Sequence, residues 1–135
     1  MQEHWLPDWD LDKLVNLHDD FLVFARSGMT HKVQSSFLPV WGVATFVRKS
    51  LVSNVRIVGT DDKCRCFAMV VTLNCGYTLL VVNVYWPCFA PGQEYQSAVL
   101  DCIGFVESCI MCHDYDGMIL LGDFNLQCDD NCSGF

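Results

Sequence analysis

The second half of this sequence lacks positive charge. All eight Lys and Arg residues lie at or before position 65, whereas residues 66–135 carry eight Asp and Glu residues, and the whole chain has a net charge of −8. Proteins bind nucleic-acid phosphates mostly through Lys and Arg, so this composition argues against strong nucleic-acid binding by these residues alone. We expect cationic partner segments outside the 135 residues to balance the acidic half.

The sequence also contains no long hydrophobic run, and its first residues do not predict a secretory leader. The longest mainly apolar stretch, residues 66–87, is interrupted by Asn74, Gly76 and Asn83, so no transmembrane segment is expected. The N-terminus has no basic segment followed by apolar residues. Nine cysteines are an odd number, which does not favour a disulfide framework. We expect reduced thiols in an intracellular protein of the nucleus or cytoplasm, neither secreted nor bound to a membrane.

The remaining composition is that of one folded domain. Hydrophobic residues make up 52% of the chain and charged residues 18%, which excludes intrinsic disorder. A chain of 135 residues fits one domain. The hydrophobic pattern predicts a short helix near residues 11–18, strands at 21–26, 42–49, 55–58, 64–73, 77–86 and 118–121, a loop at 27–40, and a helix at 95–112.

The order of these elements predicts the fold class. Asn74-Cys75-Gly76 predicts a hairpin between two strands, because Gly76 tolerates a positive φ. The apolar face predicted for the long helix consists of Val99, Leu100, Ile103, Val106 and Ile110. An antiparallel meander followed by a helix and a buried strand predicts an α/β or α+β fold with a mixed sheet.

The clearest candidate for chemistry is Gly122-Asp123-Phe124-Asn125. It follows the apolar run 118–121, and open sheets bind ligands at the carboxyl ends of their strands. A carboxylate beside a buried strand is costly unless it is solvated, paired or bound to a metal. Taken alone, the tetrapeptide is equally consistent with an Asp in an ordinary strand-to-loop turn.

Two further segments carry polar groups that could serve a site. In Asn83-Val84-Tyr85-Trp86-Pro87, strand alternation places Asn83 and Tyr85 on one face. That pattern is typical of a site wall, and also of an ordinary hydrogen-bonded tyrosine. In Gln2-Glu3-His4-Trp5, Glu3 precedes an acidic helix start, where a solvated or capping carboxylate is the alternative.

Taken together, these segments resemble the endonuclease/exonuclease/phosphatase superfamily, and more narrowly the apurinic-type endonuclease domain of non-LTR (LINE) retrotransposons. The resemblance covers nearly the whole chain and rests on residues 2–6, 42–51, 83–87 and 122–125. It implies a DNase I-like α/β (α+β) sandwich of two mixed sheets flanked by helices. It also implies a metal-dependent phosphodiesterase that acts on DNA.

The resemblance further implies a role for each matching residue. Glu3 matches the carboxylate that holds Mg²⁺, with Mn²⁺ as the alternative metal. Asp123 matches the carboxylate that orients and deprotonates the attacking water. Asn125 matches the amide that binds the scissile phosphate or the metal-site network, and Tyr85 matches the tyrosine near that phosphate. Asn83 is nearby and is ranked as supporting.

The resemblance is to part of the family's domain. Family members begin with a strand that carries an Asn and end with a Ser-Asp-His motif, and residues 1–135 match neither. We therefore interpret residues 1–135 as a partial domain that is inactive or slow by itself. The alternatives are a non-catalytic remnant or interaction module, a phosphatase or sphingomyelinase-like phosphoesterase of the same superfamily, and a metal or redox protein built on the cysteines.

Three other motifs favour simpler interpretations. Cys109-Ile110-Met111-Cys112-His113 matches a haem-attachment pattern, but such attachment needs export, so no haem is expected. Cys128 and Cys132 lack a second ligand pair at zinc spacing. The run Asp129-Asp130-Asn131 lacks EF-hand spacing, and a solvated turn is the expectation.

Overall fold

The computed structural model describes residues 1, 4, 6–28, 42–88 and 92–125, and the structural statements below concern those residues. Two helices and six strands are labelled in chain order as α1 (Asp12–Val15), β1 (Phe21–Ser27), β2 (Gly42–Arg48), β3 (Val52–Thr60), β4 (Cys66–Leu73), β5 (Thr78–Tyr85), α2 (Gln93–Cys112) and β6 (Gly117–Asp123). The strands form a two-stranded sheet, β1-β2, and a four-stranded sheet in the order β3-β4-β5-β6. No described helix is both long and apolar enough to cross a membrane.

The four-stranded sheet is mixed. Strands β3, β4 and β5 form an antiparallel meander, and β6 pairs with β5 in parallel. The predicted hairpin between β4 and β5 is confirmed, with Gly76 in its turn at φ +88°. A parallel pair needs a long crossover connection, and α2 lies in the connection between β5 and β6.

The core between the two sheets explains why β4 and β5 are almost entirely apolar. On the inner face of the four-stranded sheet, Phe67, Met69 and Val81 pack with Val43 of β2. The outer face of the same strands is also buried, because it is covered by α2. Strands buried on both faces are read as continuous hydrophobic runs, as residues 66–73 and 78–85 are.

Helix α2 covers the outer face of the four-stranded sheet through residues that match the predicted face only in part, with Val106 as a shared residue. Cys102 and Cys109 are buried against β4 and β5, whereas Leu100 is 66% exposed. The predicted face was therefore wrong for Leu100, and also for Ile103 and Ile110, which are each 37% exposed. The face of α2 that packs is the one whose side chains fit the surface of β4 and β5, and the two small cysteines allow the helix to lie close to these strands.

The Cys102 thiol meets the thiol of Cys66 on β4. The hydrogen bond to Cys102, together with burial, holds the pKa of the Cys66 thiol well above its ordinary value. A cysteine kept in its thiol form in a dry core is chemically inert. This pair therefore contributes to packing, which does not favour the redox interpretation of the cysteines.

The outer face of the two-stranded sheet is covered by the N-terminal part of the chain. Leu14 of α1 packs with Ala25 and Ala44, and Leu6 and Leu11 contact the same cluster. The layers are thus α1, the two-stranded sheet, the four-stranded sheet and α2. This arrangement confirms the predicted two-sheet sandwich flanked by helices, with the mixed pairing confined to the four-stranded sheet among the described strands.

Strand β6 differs from its prediction in burial. The apolar run 118–121 was predicted to be a buried strand, but Ile119 and Leu120 are 43% and 44% exposed. The cause is position: within the described part of the chain, β6 is the edge of the sheet and pairs only with β5. Side chains on an edge strand have a neighbouring strand on one side alone.

Candidate active site

The parallel pair β5 and β6 places two sequence-distant motifs at one edge of the sheet. Tyr85, the last residue of β5, is in register with Asp123, the last residue of β6. The backbone N–H of Trp86 continues the ladder by donating to the Asp123 carbonyl at 2.7 Å. Carboxyl ends of adjacent parallel strands therefore bring the 83–87 and 122–125 segments together, as the position of both motifs at strand ends predicts.

Gly122 permits the close approach of these two strands. Its φ is +151°, in the region that favours glycine, and it lies in register with Val84. A Cβ at this position would overlap the Val84 carbonyl oxygen. The glycine before Asp123 is therefore required by the backbone, since any side chain would push β6 away from β5.

Asn125 folds back onto the two strands. Its φ is +46°, a left-handed conformation that asparagine tolerates better than most residues. Its backbone N–H donates to Oδ1 of Asp123 at 2.9 Å, and its side-chain Nδ2 donates to the Trp86 carbonyl at 2.7 Å. These bonds fix the Asp123 carboxylate and the Asn125 amide side by side. A side-chain amide also has a second N–H and a carbonyl oxygen, and both kinds of group can bind a ligand.

Tyr85 is mostly buried, with its hydroxyl at the end of the strand. The residue is 6% exposed, and its hydroxyl lies 3.7 Å from the Sγ of the exposed Cys88. Its backbone N–H donates to the Arg65 carbonyl at 2.7 Å. The ring is thus held by the core and the chain around it, which limits where the hydroxyl can point.

Asn83 lies deeper, between the two sheets. Its exposure is zero, and its Nδ2 donates to the Ala44 carbonyl and to Oγ1 of Thr45, both at 3.1 Å. A buried amide needs such partners, and here they join β5 to β2. Asn83 therefore supports the strand that carries Tyr85 from within the core.

Glu3 lies outside the described residues, so its predicted place at the site is not tested here. Met1 and His4, on either side of it, are both held by the two-stranded sheet. The Met1 backbone exchanges 2.8 Å hydrogen bonds with Ala44, and His4 Nε2 donates to the Arg26 carbonyl at 3.0 Å. Burial lowers the pKa of His4, and its Nδ1 accepts from the Leu6 N–H at 3.1 Å.

The chemistry of the described site fits a hard cation. The Asp123 carboxylate is exposed, and carboxylate and amide oxygens are the ligands that Mg²⁺ takes. Among the described residues, no group of three or more His, Cys, Asp or Glu side chains is placed to hold a metal ion. Mg²⁺ commonly uses only one or two carboxylates together with substrate phosphates, so Asp123 and Asn125 are compatible with it.

Sequence reasoning missed three residues near this edge. Thr45 accepts from the buried Asn83, while Arg65 and Cys88 adjoin Tyr85. Thr45 sits within an ordinary strand pattern, so only the packing of the two sheets reveals it. Asp61 fixes the turn before Arg65, because its Oδ1 accepts from the backbone N–H groups of Arg65 and Cys66 at 2.7 and 2.6 Å, but nothing in the sequence marks the Arg65 side chain as part of a site.

Comparison with known proteins supports the fold. No protein-family model matches the chain, and no curated protein matches it. A crystal structure of TDP2 from C. elegans aligns over 93% of this chain with a TM-score of 0.50 and 15% sequence identity. The selenomethionine form of the same protein aligns over 93% with a TM-score of 0.50 and 16% identity. The chain spans 37% and 36% of the lengths of those two structures. The two-sheet α/β architecture of this chain is therefore that of the DNase I-like fold.

Proposed function

We propose that this chain carries the Asp123 half of a DNase I-like phosphodiesterase site that cleaves DNA with Mg²⁺. The observation that carries the proposal is the grouping of Tyr85, Asp123 and Asn125 at the carboxyl edge of two parallel strands. The likeness to TDP2, a tyrosyl-DNA phosphodiesterase, supports the class of reaction. The order of the four motifs supports an origin in the endonuclease of a retrotransposon-like element.

The described residues suit the demands of phosphodiester hydrolysis. Asp123 presents an exposed carboxylate that can accept a proton from a water molecule, and the Asn125 N–H keeps that carboxylate oriented. The second N–H of the Asn125 amide and the Tyr85 hydroxyl can donate to phosphate oxygens, where negative charge develops. Glu3 would hold the metal, which when bound supplies positive charge to the phosphate.

We expect the activity of these 135 residues to be low. A net charge of −8 repels a polyanion, and residues 66–135 offer no Lys or Arg to replace the counterions of DNA. The residues include no Ser-Asp-His sequence, so the family's phosphate-binding histidine is not among them. Removing one such donor typically slows a reaction by about 10²- to 10³-fold.

A supercoiled-plasmid nicking assay tests the proposal. With Mg²⁺ and low salt, we expect slow nicking that stops on addition of EDTA. The isosteric Asp123→Asn variant should lower the rate by at least about 10²-fold, because the acceptor for the proton is lost. Asp114→Asn, at an exposed position beyond α2, is the matched control and should nick like the parent. Equal nicking by the parent and Asp123→Asn would refute the assignment of this site.

A second candidate function is a non-catalytic interaction module. The specific observation in its favour is the exposed apolar surface on α2, where Leu100 and Met111 are 66% and 83% exposed. Such a surface is typical of a contact with another segment or protein. Complete absence of Mg²⁺-dependent nicking in a folded preparation would favour this function. Cleavage of a phosphate monoester or a sphingolipid instead of DNA would favour the other superfamily activities.

A further inference from the structure

A pocket of about 280 Å³ opens beside the candidate active site. It lies between the end of β5 and the first turns of α2, and Tyr85, which belongs to the candidate site, lines it together with Cys88. Glu94 and Tyr95 of α2 also line the pocket, as does Arg65. The volume is at the small end of the range for ligand sites and suits a single nucleotide rather than a duplex.

The pocket offers two features that attract an anion. Arg65 is the last cation of the sequence, and its guanidinium can bind two phosphate oxygens at once. The other feature is the start of α2, a helix of 20 residues whose first turn contributes Glu94 and Tyr95 to the lining. The first backbone N–H groups of a helix have no partner within the helix, and they carry partial positive charge.

The remaining lining matches a nucleobase. Tyr95 is half-buried, so its ring is partly fixed before any ligand arrives. Bases stack on tyrosine rings with little dependence on sequence. Glu94 also lines the pocket, and its carboxylate opposes an anion there. It can instead accept a hydrogen bond from the amino group of a base such as cytosine.

We propose that this pocket binds the nucleotide next to the scissile phosphate, with its phosphate at Arg65 and its base on Tyr95. The inference rests on the proposed function, because Tyr85 belongs both to the pocket and to the candidate active site. The pocket then sets the register of the strand, so that the phosphodiester bond beside the bound nucleotide meets Asp123 and Asn125.

Alkylation of Cys88 reports on occupancy of the pocket. Cys88 lines it and is exposed, while the exposed Cys75 and Cys112 lie in the β4–β5 turn and at the end of α2. The chain is treated briefly with N-ethylmaleimide in EDTA, and each cysteine is quantified by peptide mass spectrometry. We expect deoxycytidine 5′-monophosphate to slow labelling of Cys88 alone, with a Kd on the order of 1 mM, which a small open pocket can provide.

Three further ligands test the chemistry. Inorganic phosphate and deoxycytidine should each protect Cys88 only at concentrations at least about five-fold higher than deoxycytidine 5′-monophosphate, because phosphate lacks the base and deoxycytidine lacks the phosphate. A short oligodeoxycytidylate should protect at a lower concentration than the monophosphate, as a substrate strand would. Phosphate acting as well as the nucleotide, or an oligonucleotide that fails to protect, would overturn the proposal.

Variants complete the test. Arg65→Gln should weaken protection by about ten-fold, and Tyr95→Leu by about five-fold, whereas Tyr95→Phe keeps the ring and should resemble the parent. Arg56→Gln makes the same change of charge at an exposed position on β3 and should have no effect. Full protection in both Arg65→Gln and Tyr95→Leu would contradict the assigned contacts.

The assay also separates this proposal from the proposed function. It uses no metal and measures no cleavage, so Asp123→Asn should protect Cys88 as the parent does. Protection of Cys88 without nicking by the parent would reject the catalytic function and leave the nucleotide pocket standing. Nicking that depends on Asp123, without protection of Cys88, would reject the pocket alone.

Discussion

Replacing Gly122 with alanine should destabilise the chain and displace the candidate site. At φ +151° an L side chain is strained, and the new Cβ would overlap the Val84 carbonyl. A carbonyl in a central strand cannot rotate away as a flexible side chain can. Strand β6 must therefore shift relative to β5, and Asp123, the next residue, shifts with it.

The size of the effect follows from two contributions. A non-glycine residue in such a conformation costs about 1–3 kcal/mol. Weakening one or two ladder hydrogen bonds around Val84 adds about 1–2 kcal/mol. The expected loss in the free energy of unfolding is thus about 2–5 kcal/mol, a large part of the ~5–15 kcal/mol available to a typical domain.

Gly104→Ala is the matched control for this substitution. Gly104 lies inside α2, and a Cβ there has no heavy atom within 4 Å. Alanine should stabilise the helix by about 0.5–1 kcal/mol, because glycine loses more backbone freedom on folding. Urea unfolding followed by circular dichroism measures both variants. A Gly122→Ala variant as stable as the parent would refute the argument from close strand approach.

Three other predictions concern the core, the pH dependence and the helix face. Asn83→Ala should cost about 1–3 kcal/mol in urea unfolding, because its two buried hydrogen bonds to β2 are lost, while the exposed Asn74→Ala should cost less than about 1 kcal/mol. Thr78, the first residue of β5, donates two hydrogen bonds to Asp116 and holds the pKa of that carboxyl below its ordinary value of 3.8. The free energy of unfolding should therefore fall as the pH drops below 3.8. Asp116→Asn should flatten this pH dependence when the unfolding midpoint is measured across an acid titration. Cys102→Ser should lower the thermal midpoint, whereas Leu100→Ser should leave it nearly unchanged; the reverse order would contradict the buried face of α2.

The sequence predicted the strands and the hairpin because their signals are local. Alternating or continuous apolar runs and a turn glycine depend on residues near one another in the chain, and β4, β5 and their turn were found close to their predicted bounds. The two-sheet fold was predicted by the order of motifs rather than by periodicity. That step needs the resemblance, because apolar patterns do not state which strands share a sheet.

The face of α2 could not be predicted, since two stripes of its sequence fit a helical period. Leu100 and Ile103 form a more hydrophobic stripe than Cys102 and Cys109, and hydrophobicity alone selects the wrong one. The choice is made by the fit of small thiols to the surface of β4 and β5. Similarly, the run containing Ile119 was predicted to be buried, although its burial depends on whether a further strand lies beside β6.

The residues of the candidate site stay a prediction from motifs, and the position of the two motifs at strand ends predicts that their segments meet. Tyr85 and Asp123 were selected by motif, and only the parallel register of their strands places them at one edge. Arg65 was not selected, because its importance comes from a pocket that it forms with α2. That helix begins at Gln93, 28 residues after Arg65 in the chain. Proximity of that kind is a property of the folded chain.

The carbonyl of Ala44 has a consequence for the order of folding. It accepts hydrogen bonds from the Met1 N-terminus and from Asn83, partners that lie 43 and 39 residues away in the chain. The bond from Asn83 cannot form before the two sheets meet, and both bonds need a long loop to close. Interactions that form after the transition state chiefly slow unfolding. We therefore expect the hydrogen bond between Asn83 and Ala44 to slow the separation of the two sheets more than it changes how fast they come together.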